Sequence, residues 1–83
     1  MINLTNIGKV THYYDKIGVA IVKATKSIKT GDKLRFGDEE NGFEQTADSM
    51  QFDHKEVSEA KKGQEVGVKV EKKVREGTLV YSA

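Results

Sequence analysis

The chain of 83 residues contains no cysteine, no proline and no tryptophan. Without cysteine it has neither a disulfide framework nor a thiolate metal site, so packing or a partner must stabilise it. Cysteine-free composition also fits a reducing compartment. No apolar run is long enough to span a bilayer. The first residues, Met1 to Val10, lack the basic segment and apolar core of a secretory signal. These features lead us to expect a soluble cytoplasmic protein with no membrane association. A chain this short forms one small domain, residues 1–83, and buries only roughly 60–65% of its unfolded surface. No linker, repeat or low-complexity tract divides it.

Charge of one sign is also lacking: Lys and Arg total 14 against 13 Asp and Glu, a net of +1. That balance is not the strongly basic footprint of a dedicated nucleic-acid-binding domain. The distribution is uneven, however. Residues 16–35 carry six cations against Asp32 alone, a net of +5, and residues 38–48 carry five acids and no base, a net of −5. Two readings stand: a mixed solubilising surface, or a basic side that steers a partner.

What is present is β-patterned. Ile7 to Tyr14 is rich in β-branched and aromatic residues and reads as a strand. Asp15-Lys16 forms a tight connection to Ile17–Val22, which is apolar on both faces and is expected at the centre of the barrel. Thr30-Gly31-Asp32 is a turn, and Lys33 to Phe36 alternates with Leu34 and Phe36 inward. Residues 37–42 (GDEENG) read as a hairpin loop. From Phe43 to Asp53 the apolar positions Phe43, Ala47, Met50 and Phe52 switch parity midway, which a bulge near Asp48-Ser49 explains. The one helix candidate is residues 54–62, at most a turn or two, capped by Asp53 with Glu56 at the reciprocal position. Val66, Val68 and Val70 alternate with Gly67, Lys69 and Glu71, three valines facing inward. Glu76-Gly77 turns the chain into a last strand, Thr78 to Tyr81. Short strands with regular turns predict an all-β barrel or sandwich, and closure removes exposed edges.

Few residues suggest chemistry. His12 and His54, with Asp15 or Asp53, fall short of the three or four converging ligands that a metal needs. Ser27, Ser49 and Ser58 lack the setting of a nucleophile. Glu39-Glu40 sits in a solvated loop, where nothing shifts a carboxyl pKa toward acid–base work. No catalysis and no cofactor are expected. In Tyr13-Tyr14 one ring faces the core and the other is exposed. An exposed Tyr14 beside Lys16 suits stacking on a base or a partner side chain. Lys26 and Lys29 lie in the basic segment. Lys61-Lys62 and Lys72-Lys73 with Arg75 flank the valine strand. All are candidate contacts to RNA phosphates or a partner, and equally candidate solvated lysines.

The ordered set Gly8 to Thr11, Gly18 to Val22, Ile28 to Leu34, Thr46 to Gln51, Ala60 to Val68 and Arg75 to Val80 resembles the second domain of translational GTPases of the EF-Tu type. The resemblance covers about residues 7–82. It implies a closed β-barrel of six or so strands. It also implies a translation-factor-like binding module for RNA, the ribosome or a translation protein. No G-x-x-x-x-G-K-[ST] loop is present, so no GTP binding is implied for this chain. Where that family contacts the aminoacylated tRNA end, this chain has Ser49, Phe52 and Glu65, and the pocket does not carry over. The chain is similar, too, to the C-terminal barrel of collagenase-like peptidase family proteins linked to RNA modification. That second resemblance implies a detached accessory protein-interaction barrel of a peptidase-like or RNA-modifying enzyme. A homodimer is a third possibility that the small core raises.

Overall fold

The computed structural model describes residues 5–37, 42–53 and 55–82. It is all-β, and no helix occurs among the described residues. Ten strands follow in chain order: β1 (Thr5–Tyr14), β2 (Val19–Ala24), β3 (Ile28–Lys29), β4 (Lys33–Phe36), β5 (Phe43–Thr46), β6 (Met50–Phe52), β7 (Lys55–Val57), β8 (Glu59–Ala60), β9 (Glu65–Lys69) and β10 (Leu79–Ser82). Eight of them form one antiparallel sheet in the order β5-β4-β10-β1-β2-β9-β6-β7, while β3 and β8 form a separate ladder.

The long strand β1 drives the curl. Its register slips against β10 between Asn6 and Gly8, and against β2 between Val10 and His12. Each slip bends the strand and increases its twist. The Asn6 amide fastens the first bend by donating to the carbonyls of Gly8 and Val80. The concave side holds the core. Val10, Val22, Ile28, Leu34, Phe36, Met50, Val66, Val68 and Val80 are all fully buried. Burial of each such side chain contributes roughly 1.5–3 kcal/mol. The valine alternation falls as the pattern predicts, with Val66, Val68 and Val70 buried and Lys69 and Glu71 exposed.

Four expectations need correction. The first concerns closure. The sheet is an open, curled half-barrel, with β5 and β7 as unpaired edges. At three residues each, β6 and β7 are short, and β7 exposes Lys55 and Glu56, side chains that discourage edge pairing. Second, residues 55–60 form two short strands where a helix was expected. Asp53 adopts φ 54° in the connection of a tight hairpin that pairs Phe52 with Lys55, and so does not cap a helix; His54 lies outside the described residues. Strand pairing buries Ala60 against Ile28 and half-buries Val57, more than a nine-residue helix of marginal stability would offer.

Third, the parity switch after Phe43 is a break between two strands. Residues 47–49 leave the ladder: Ala47 exchanges backbone bonds with Asp32 and Gly31, and Ser49 accepts from Lys69. Phe52 therefore ends up 38% exposed. Fourth, Ile17 belongs to the β1–β2 turn and is 62% exposed. The turn spans Asp15 to Gly18, closed by the Gly18 amide donating to the Tyr14 carbonyl at 2.9 Å. Strand β2 then lies centrally between β1 and β9, as expected. Residues 38–41, including Glu39 and Glu40, are outside the described residues; their flanks are paired as a hairpin, Phe36 with Phe43.

Candidate functional site

The nine candidate contact residues divide among three places. At the Ala24 end of β2, the Gly63 amide donates to the Ala24 carbonyl at 2.7 Å. This brings Lys61 and Lys62 beside the segment that carries Lys26. Lys29, in β3, lies across the small ladder from Glu59. At the other end of β2, Tyr14 ends β1 and Lys16 lies in the turn that follows it. Tyr14 is 47% exposed, and its ring packs edge-on against His12, centroids 4.5 Å apart. His12 Nδ1 in turn meets Glu76 Oε2 at 2.9 Å. The basic segment is thus dispersed, and its Lys33 and Arg35 both pair with Glu44.

Lys73 and Arg75 line a concave feature, and Lys72 lies beside it over the Phe43 ring. A groove of about 700 Å³ runs between the β4–β5 hairpin and the chain that enters β10. Phe36, Gly37 and Phe43 form one wall. Lys73, Val74, Arg75 and Thr78 form the other, with Leu79 and Tyr81 from β10. Val74 is buried and anchors this connection, while its neighbours Lys73 and Arg75 are exposed. Backbone bonds hold the turn: Gly77 donates to Val10 at 2.7 Å, and Val10 donates to Thr78 at 2.8 Å. The Phe43 ring stacks on Phe36, centroids 5.3 Å apart, and Lys72 Nζ sits over it at 5.9 Å from the centroid. Among the described residues, neither Lys72, Lys73 nor Arg75 has a carboxylate partner.

The apolar part of this groove was not singled out from sequence. Its signal was in the last strand: Leu79 and Tyr81 flank the buried Val80, so both faces of β10 are apolar. Among the described residues no three His, Cys, Asp or Glu side chains gather as a metal site. No helix among them is long and apolar enough to cross a membrane.

Comparison with known proteins gives one sequence relative and a shared fold. No family model matches the chain. Over 76 residues it is 42% identical to the uncharacterized protease MJ0090 of Methanocaldococcus jannaschii, a match covering 90% of this chain. The chain spans only 19% of that relative's length. Among solved structures it is similar to the C-terminal domain of a protein from Geobacillus thermoleovorans described as a U32 peptidase. The selenomethionine variant superposes with a TM-score of 0.86 at 23% identity, covering 94% of this chain and 99% of that one. A second crystal structure of the domain gives 0.86 at 22% identity, covering 94% and 91%. The shared fold agrees with the resemblance to collagenase-like peptidase barrels.

Proposed function

We propose that this chain is an accessory interaction module of a U32-peptidase-like protein and carries no catalytic centre of its own. The supporting observation is the 42% identity to a stretch of a much longer protein described as a protease. The fold adds to it, since the similar solved domain is itself a C-terminal domain matched over 99% of its length. Peptidase chemistry needs a nucleophile or metal-bound water with an acid–base partner. The groove supplies cations, a threonine and apolar side chains, which bind and orient better than they react. Docking to RNA or the ribosome, the translation-side reading, has weaker support, because the basic segment is dispersed and partly paired with Glu44.

The test mixes this chain with the remaining portion of a U32-peptidase-type protein encoded in the same genome, expressed without its equivalent domain. A 1:1 complex in size-exclusion chromatography with light scattering is the expected result. The chain alone should leave casein and gelatin uncleaved. Failure to associate, or hydrolysis by the chain alone, would overturn the proposal.

A further inference from the structure

We propose that the groove between the β4–β5 hairpin and β10 binds an acidic protein segment that inserts one aliphatic or aromatic anchor side chain. The inference rests on the chain being an interaction module and names the chemistry of what it docks.

Two properties of the groove carry it. The first is an apolar floor that remains open. Leu79 is 42% exposed although it neighbours the buried Val80 and Val74, and it lines the cavity with the half-buried Tyr81. Exposed apolar surface inside a concavity favours an apolar occupant. The second is charge. Lys73 and Arg75 line the groove, Lys72 sits over Phe43, and none of the three has a carboxylate partner among the described residues. Of the nearby described acids, Glu44 pairs with Lys33 and Arg35 and Glu76 with His12, while Glu71 is exposed and pairs with none of the three cations. A ligand bearing carboxylates beside an apolar side chain satisfies both properties at once.

A single-stranded nucleic acid fits less well. Such ligands need aromatic faces on which bases stack. Here Phe36 is buried, and the Phe43 ring is already stacked on Phe36 and overlain by Lys72. Tyr81 is half-buried, and Leu79 is the most exposed apolar side chain of the lining.

The experiment titrates fluorescent peptides into the full chain. One probe is a short Asp/Glu-rich peptide with a central Leu; a second has Ala in place of Leu; a third reverses the charges to Lys. Oligouridine of similar length is the polyanion control. The acidic Leu peptide is expected to bind at least tenfold more tightly than the other three. Lys73→Glu with Arg75→Glu should weaken it at least tenfold. Leu79→Ser should weaken it severalfold without changing the fold seen by circular dichroism. Amide shifts on binding should centre on Val74, Leu79 and Tyr81. No binding by the acidic peptide, equal binding of the Ala probe, preferential binding of oligouridine, or indifference to the groove variants would each overturn the proposal. None of these outcomes bears on association with a U32-type protein, which the mixing experiment reads separately.

Discussion

The side chain of Gln45 joins β5 to the Lys69 end of β9. Its Nε2 donates to the Lys69 carbonyl at 2.7 Å, and its Oε1 accepts from the Glu71 amide at 2.8 Å. Gln45 is only 7% exposed. A primary amide sets an N–H donor beside a carbonyl acceptor, so one side chain can meet both a backbone carbonyl and a backbone N–H. Gln45 therefore ties the edge strand β5 to the end of β9, two strands that share no ladder.

Gln45→Ala removes both bonds and leaves a partly buried carbonyl and amide without partners, a loss of about 2 kcal/mol. Gln45→Glu keeps the size but cannot donate to the Lys69 carbonyl when ionised, and should also destabilise. Urea denaturation reads the loss, and hydrogen exchange at the Glu71 amide should accelerate locally. Unchanged stability in both variants would mean that the open side needs no such tie.

Two glycines, on the strands that flank β2, should respond differently to alanine. A Cβ on Gly8 would meet Val22 Cγ1 at 2.8 Å and the Lys23 carbonyl oxygen at 3.0 Å. Val22 is fully buried and the carbonyl is backbone, so neither yields easily, and Gly8→Ala should cost about 1–3 kcal/mol. A Cβ on Gly67 would meet side-chain atoms of Val19 and Ile21 at 3.1 and 3.6 Å. Those side chains are half-buried and can shift, while alanine suits a strand better than glycine by roughly 0.5–1 kcal/mol. Gly67→Ala should be close to neutral. Thermal melts of the two variants test the contrast, and equal losses would contradict it.

The hairpin turn at Asp53 supplies a third prediction. At φ 54° glycine is unstrained, and Asp53→Gly should leave stability unchanged or raise it by up to about 1 kcal/mol. A β-branched residue is strained there, so Asp53→Val should lose about 1–2 kcal/mol. Losses of similar size in both variants would indicate that Asp53 serves through its side chain instead.

The elements legible from sequence are those that obey a simple period. Val66, Val68 and Val70, and Leu34 with Phe36, announce their buried face because alternation is the whole signal. Openness of the sheet was not legible, since a polar residue, Gln45, spans the gap and nothing in its composition distinguishes it from a solvated glutamine. Residues 55–60 misled for a different reason. Val57 and Ala60, three apart, fit one helix face or two short strands equally well, and only the long-range partner Ile28 decides between them. The cations Lys73 and Arg75 were legible as candidates. The apolar groove beside them arises from β4, β5 and β10 meeting in space, which no local pattern encodes.

Among all measurements, isothermal titration of this chain into the remaining portion of a U32-peptidase-type protein from the same genome tests the central claim most directly. Saturable 1:1 binding is the expected result. Absence of heat and of any complex, with the chain correctly folded, would contradict it.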